Sequence, residues 1–311
     1  MIKQETIFTS TSGVCPIRVV KYIPEKDVKA ILQISHGMQE FIDRYEDFAN
    51  YLCDRGFLVV GNDHLGHGGS VNSQEDWGYF ADKDGNRALI DDLHKLTQII
   101  KSEYTGIPYF LLGHSMGSFY ARQYICEYGD ELNGAIIMGT GHQPLATVKA
   151  GMLACKMFAM SKGWRHRSKA VNAMAFGSYN KKFEPARTSV DWLTKDEEIV
   201  DKYLNEPRCT FMFTLNGYYN MFEGISRLHD KSLLENIPHD LPLLFVSGED
   251  DPVVDFGKGV KAAVDSLKEV GIQNIQMKLY PNDRHEILNE LDKNQVYQDI
   301  YQWLDDKIKI A

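Results

Sequence analysis

Pro108-Tyr109-Phe110-Leu111-Leu112-Gly113-His114-Ser115-Met116-Gly117 is the stretch from which the rest of the chain can be read. Pro108 to Leu112 is a short apolar run of strand length, and Ser115 to Tyr128 carries the composition of a helix. Between them sits a Gly-x-Ser-x-Gly pentapeptide. The pattern alone is common, turning up by chance in roughly one chain in ten of this length. Its setting is not common. A serine on a sharp strand-to-helix turn stands at the carboxyl edge of a sheet, at a helix N-terminus that favours developing negative charge. Glycines two residues to either side leave room for the helix to approach the strand.

Working outward, strand and helix signals alternate. Glu5 to Tyr22 reads as two strands around a turn at Ser12-Gly13. Ala30 to Ser35 is a buried strand. Arg44 to Arg55 has helical spacing, with Tyr45, Phe48, Ala49 and Leu52 on one face and Gly56 as a stop signal. Phe57 to Gly61 is a strand, Asp91 to Glu103 a helix and Gly134 to Met138 a strand. After Gly141 the alternation stops for about 95 residues, far longer than a simple crossover needs. It resumes with strand Leu241 to Val246, helix Lys258 to Glu269, strand Ile275 to Tyr280 and a closing helix from Asn294 to Lys307. This predicts an α/β fold: a mostly parallel sheet with helices on both faces. Residues 1–141 and 238–311 form its two parts, and residues 142–237 form an inserted helical unit.

Composition excludes several classes. A hydrophobic content of 43% supports a large core, and a formal charge of -9 argues against a general nucleic-acid binder. Met1 to Ser10 lacks the apolar run of a signal peptide, and no apolar run approaches the ~18 residues of a membrane span. The five cysteines, Cys15, Cys53, Cys126, Cys155 and Cys209, are odd in number and form no Cys-x-x-Cys pair. A disulfide framework or zinc site is not expected, and a reducing cytoplasm fits.

A free serine hydroxyl needs an adjacent base. Where a serine on such a turn carries chemistry, acid and base follow it along the chain in that order. Of the ten histidines only His285 lies beyond the last core strands, after the turn-like Pro281-Asn282-Asp283-Arg284. The acid belongs after the preceding strand, where Ser247-Gly248 runs into Glu249-Asp250-Asp251-Pro252. Asp251 is the choice and Asp250 its competitor, separated by one residue of register. One oxyanion donor is expected from the loop His36-Gly37-Met38 and the other from the residue after the nucleophile, which makes them the backbone N–H groups of Met38 and Met116. His36 has the wrong place in chain order to be the base and reads as a buried histidine bonded to backbone. Asp63-His64-Leu65-Gly66-His67-Gly68 invites a metal reading, but no third or fourth ligand is near in sequence, and neither metal nor cofactor is implied.

These residues together carry a resemblance. His36-Gly37, the Asp63-to-Gly68 loop, Gly113-to-Gly117, Gly248-x-x-Asp251 and His285-Glu286 resemble the monoacylglycerol lipase and lysophospholipase branch of the α/β-hydrolases over nearly the whole chain. The resemblance implies a serine ester hydrolase working through an acyl-enzyme on a lipid with one acyl chain. A short-chain or aromatic esterase is the alternative, and a non-catalytic binding protein of the same fold the competing class. Two departures stand out. Met38-Gln39 follows His36-Gly37 where the animal lipases carry a small residue and a glycine, so Met38 is expected to narrow the site. Asn180 to Thr188 and Asp191-Trp192-Leu193 look more like bacterial hydrolases.

The insertion holds six of the 11 methionines and many aromatics. Such a wall suits an acyl chain, and Met152, Phe158, Phe213 and Met221 are the expected substrate contacts. Half of these apolar residues are expected merely to pack the insertion's own core. Lys162 to Lys169 is a basic cluster in an acidic chain. It reads either as a solvated face or as a contact for phosphate headgroups and the membrane surface.

Overall fold

A computed structural model describes residues 1–309. Eight strands form one sheet: β1 (Ile2–Thr9), β2 (Pro16–Ile23), β3 (Ala30–Ser35), β4 (Phe57–Asn62), β5 (Tyr109–His114), β6 (Gly134–Met138), β7 (Leu243–Gly248) and β8 (Ile275–Tyr280). Their spatial order is β1-β2-β4-β3-β5-β6-β7-β8. β1 and β2 pair antiparallel, β2 meets β4 antiparallel, and every pairing from β4 to β8 is parallel. This is the α/β-hydrolase sheet. β3, β4, β5 and β7 are buried on both faces, which is why they read as continuous apolar runs.

The chain winds one way from β3 to β4 and the other way from β5 to β6. The loops leaving β3 and β5 therefore diverge, and a crevice opens between their carboxyl ends. The register sets Ser35 opposite Gly113 and His114 opposite Met138, so these strands end level. The loops that follow them start from one plane.

One face of the sheet is covered by α1 (Glu46–Cys53) and, at the end of the chain, by α10 (Lys293–Ile308). The other is covered by α2 (Gly85–Glu103), α3 (Met116–Tyr128) and α9 (Lys258–Glu269). The expected helix at 91–103 starts six residues earlier, at Gly85. Gly85-Asn86 is a weak local helix signal. Its start is fixed from a distance, because the Asn86 N–H donates to the side chain of Asn220 at 2.9 Å. The expected helix from Arg44 is shorter, beginning at Glu46 after a tight turn at Ile42–Tyr45.

Between β6 and β7 the chain contains α4 (Leu145–Lys162), α5 (Lys169–Phe176), α6 (Glu197–Leu204), α7 (Leu215–Arg227) and α8 (Lys231–Leu234), with no strand among these described residues. Asn216 pins α7 to the body: its amide accepts from Phe80 N–H at 3.0 Å and donates to Ala81 O at 2.8 Å. Among the described residues nothing covers the outer face of α4. Leu153, Met157 and Met160 are exposed, and Trp164 continues the row.

The closest approach in the core is between α3 and β3. A Cβ on Gly117 would sit 2.0 Å from the Ser35 carbonyl oxygen and 2.5 Å from that of His36. Both obstacles are backbone, so neither can swing aside. Gly106 is the contrast, with φ of +74 and nothing within 4 Å of its missing Cβ. Gly117→Ala is expected to cost about 3 kcal/mol or more through overpacking, against about 1–2 kcal/mol of backbone strain for Gly106→Ala. Urea midpoints of the two variants check this; equal losses contradict it.

Candidate active site

Ser115 follows β5 directly and caps α3. Its backbone lies at φ 52 and ψ −121, a conformation that costs a non-glycine residue free energy. Packing holds it there. Its N–H donates to the Met138 carbonyl at 2.9 Å on one side. On the other, Gly113 and Gly117 are so close that a Cβ on Gly113 would lie 2.5 Å from the Gly117 carbonyl oxygen. The turn thus projects the serine side chain away from the sheet, over the positive end of the α3 dipole.

Asp251 lies in the loop after β7 and is fully buried. Its Oδ1 accepts from the Val253 N–H at 2.8 Å, and its Oδ2 accepts from Ser247 Oγ at 3.1 Å and from His285 Nδ1 at 2.7 Å. Nδ1 must carry hydrogen to donate to a carboxylate, which leaves Nε2 as the basic nitrogen. Asp250 points elsewhere, to an ion pair with Lys182. The contact that brings the acid and histidine loops together depends on Gly248, where a Cβ would fall 2.1 Å from the Asp283 carbonyl.

His285 is braced from the insertion. Its N–H donates to Trp192 O at 3.4 Å, the next N–H donates to Leu193 O at 2.7 Å, and the Trp192 ring lies 5.3 Å from the imidazole. Ser115 and His285 open onto the same cavity. No hydrogen bond joins their side chains among the described contacts. Such bonds are often loose before substrate binds.

The loop after β3 passes over the serine. A Cβ on Gly37 would be 3.1 Å from Ser115 Cβ. Met38 and Met116 both line the cavity, and among the described residues neither N–H has a protein acceptor. His36 lies behind this loop, fully buried. It is bonded to Gly37 O through Nδ1 at 2.7 Å and accepts the His64 N–H on Nε2 at 2.9 Å. Burial, with His67 nearby, holds it well below the usual histidine range and therefore neutral. His64 and His67 pack against it as rings.

Apolar residues dominate the remaining wall: Phe119, Val148, Phe176, Met221, Phe222 and Ile225 among them. Of the four substrate contacts expected from sequence, Met221 is in this wall. The expectation is corrected for Met152, Phe158 and Phe213, which are not. Phe213 is fully buried among the rings of His67, Phe80 and Tyr218, where it fastens the insertion to the body. Phe158 and Met152 lie on α4 away from the cavity, and Phe158 packs on the core with Lys162 over its ring.

Sequence reasoning missed a buried ionic group beneath the site. Arg44 grips Glu286 with two bonds of 2.7 Å. Glu40 bonds His114 at 2.9 Å and accepts from Tyr45 at 2.8 Å. The i,i+4 spacing of Glu40 and Arg44 was visible, but their partners lie 74 and 242 residues away.

Comparison with known proteins places the chain among α/β-hydrolases. The family described as serine aminopeptidase, S33, matches residues 26–292. Human monoglyceride lipase is 27% identical, the alignment covering 93% of this chain and 86% of that one. The monoacylglycerol lipase of Mycolicibacterium smegmatis is 24% identical over 95% of both chains. A thermostable carboxyl esterase from Bacillus coagulans, solved with glycerol, superposes with a TM-score of 0.91 at 29% identity over 99% of both chains. With the family match spanning most of the chain and the fold shared with the Bacillus esterase, the chain belongs to the serine aminopeptidase S33 family of α/β-hydrolases, on its monoacylglycerol lipase and lysophospholipase branch.

Proposed function

We propose that this protein is a serine ester hydrolase that cleaves single-acyl-chain lipid esters, monoacylglycerols or lysophospholipids, through an acyl-enzyme on Ser115. The observation that carries the reading is the buried Asp251–His285 bond of 2.7 Å, set in the wall of an apolar cavity that also holds the positive-φ serine. The names of the relatives point the same way. Residues 142–237 act as the cap over the acyl chain.

The chemistry follows from the donors and acceptors. Ser115 Oγ attacks the ester carbonyl as His285 Nε2 takes its proton, and Asp251 stabilises the imidazolium. The N–H groups of Met38 and Met116 receive the negative charge on the carbonyl oxygen. Collapse breaks the bond to the alcohol, which leaves with the proton from His285. Water then repeats the sequence on the acyl-enzyme, releasing the fatty acid and restoring the serine. No metal or cofactor enters.

An aminopeptidase reading needs a free carboxylate for the substrate ammonium. Glu40 and Glu286 reach the cavity wall, but both are already bonded within the protein, Glu40 to His114 and Tyr45 and Glu286 to the Arg44 guanidinium. This favours an uncharged acyl group. A binding protein without turnover has no use for a buried carboxylate–imidazole pair, which is costly to desolvate. The five free, buried cysteines suit a reducing compartment such as the cytoplasm.

The cap surface supports contact with anionic lipid. Residues 142–183 carry eight of the 34 Lys and Arg and none of the 43 Asp and Glu. Leu153, Met157, Met160 and Trp164, spaced four, three and four apart, are exposed alongside Lys149, Lys156, Lys162 and Arg165. An apolar row flanked by cations is the pattern of an interfacial helix.

Four outcomes test these statements. Ser115→Ala should abolish turnover of p-nitrophenyl esters. Asp251→Asn should lower kcat by about 10³–10⁴-fold, as misplaced tautomers do, while Asp250→Asn stays within a few-fold; the reverse ranking moves the acid. For substrates from C2 to C16, kcat/KM should rise about fourfold per buried methylene, the equivalent of ~0.8 kcal/mol, then stop, and Met221→Ala or Phe176→Ala should move the stopping point. A maximum at C2 would leave a small-ester hydrolase, and turnover of aminoacyl p-nitroanilides would restore the peptidase. Vesicles containing phosphatidylglycerol should pull down the protein at low salt, and Met157→Glu with Met160→Glu should weaken this without slowing C4 ester hydrolysis. Equal binding of the variant removes the cap from the interface.

A further inference from the structure

A second histidine lies between the nucleophile and the base, and the triad chemistry does not use it. His114 precedes Ser115, is almost fully buried, and its ring centroid is 4.8 Å from that of His285. Its Nε2 lies 3.3 Å from the main-chain oxygen of His285. A carbonyl oxygen only accepts, so Nε2 carries a hydrogen. Its Nδ1 lies 2.9 Å from Glu40 Oε1. The Tyr45 hydroxyl is 3.1 Å from Nδ1, but its hydrogen goes to Glu40 Oε2 at 2.8 Å. One proton therefore lies between Nδ1 and the Glu40 carboxyl.

Its position is decided by chemistry and by charge. An imidazole holds a proton more tightly than a carboxylate does, by about two pKa units in model compounds. Arg44 Nη1, 3.8 Å from Glu40 Oε2, adds to the preference by stabilising the anion. The groups facing His114 are then Glu40 from the loop after β3, Tyr45 and Arg44 from the turn before α1, and His285 and Glu286 from the loop after β8. Arg44 and Glu286 cancel one another, as do His114 and Glu40.

We propose that His114 is a permanent imidazolium and that it and Glu40 are positioning residues for the general base. Glu40 stands two residues from Met38, on the loop that supplies one oxyanion donor. His114 adjoins the nucleophile, and its Nε2–H holds the main chain of His285. A single charged ring thus spans the three loops that must meet for catalysis. The electrostatics agree. Burial alone would raise the Glu40 carboxyl, yet His114, with Arg44 and Tyr45, holds it down to about 2. Burial alone would lower His114, and Glu40 overrides it, leaving the ring above its usual range.

The proposal rests on the triad reading for its catalytic consequence but not for its charge. Protein with ¹⁵N-labelled histidine, observed by long-range ¹H–¹⁵N correlation from pH 6 to 9, reads the ring directly, with His114 assigned by its absence in His114→Asn. Both His114 nitrogens should show protonated shifts throughout this range. A bare His114 nitrogen at pH 7.5 in the wild type overturns the proposal, and this result does not depend on turnover. In Glu40→Gln the ring should become neutral, and kcat for a p-nitrophenyl ester should fall about 10- to 100-fold as the base loses its placement. KM should change no more than about twofold, and Glu40→Asp should recover part of kcat. A folded Glu40→Gln with neutral His114 and wild-type kcat would show that the charge positions nothing. Turnover surviving in Ser115→Ala would instead remove the triad and leave the ring's charge standing.

Discussion

The approach of Gly117 to the carbonyl of Ser35 is the constraint from which the rest follows. With 2.0 Å available where a Cβ would sit, α3 can lie against β3 only through a bare backbone. That contact forces the preceding turn to be sharp, and the sharp turn holds Ser115 in a positive-φ conformation. The free energy stored there is modest, about 1–3 kcal/mol, and the surrounding sheet offsets it. In return the serine and the neighbouring Met116 both reach the cavity. A loosely packed turn would relax the serine back toward the sheet.

The second organising element is charge kept out of water. Arg44–Glu286 and His114–Glu40 are buried, and each ties a site loop to another part of the chain. Removing one partner of such a pair costs about 3–5 kcal/mol, because the other is left uncompensated. Arg44 also lies under the ring of Tyr203 from α6, at 5.0 Å. The inserted helices are therefore joined to the histidine loop twice, through this stack and through the main-chain bonds from Trp192 and Leu193. The placement of the base depends on the insertion as well as on the sheet.

Much of this was legible in the sequence, because its signals are local. The runs Tyr109–Leu112 and Leu243–Val246 are apolar since both their faces are covered, and the serine motif falls where strand period gives way to helix period. Chain order singled out His285, and the fold sets its ring against Asp251. Where information is tertiary, sequence was silent or misleading. The start of α2 at Gly85 is fixed by Asn220, and no nearby residue announces it. Asp250 and Asp251 differ by one step of register, and only the fold shows which meets the imidazole. Phe213 and Phe176 are the same residue type in the same insertion, yet one locks the insertion to the body and the other faces the cavity. Composition cannot separate them. Glu40 and His114 were adjacent to the features being read, but a pairing across 74 residues leaves no periodic trace.

The central claim is that Ser115 carries the acyl group between two half-reactions. Rapid mixing with excess p-nitrophenyl ester, followed by an acid quench and mass spectrometry of the digested protein, tests it most directly. The account predicts a burst of p-nitrophenol of about one equivalent per enzyme wherever deacylation is the slower step, and one acyl adduct confined to the peptide containing Ser115. An adduct on another residue, or steady turnover in which ¹⁸O-labelled water enters the acid without any trapped acyl-enzyme under conditions that slow deacylation, would contradict it.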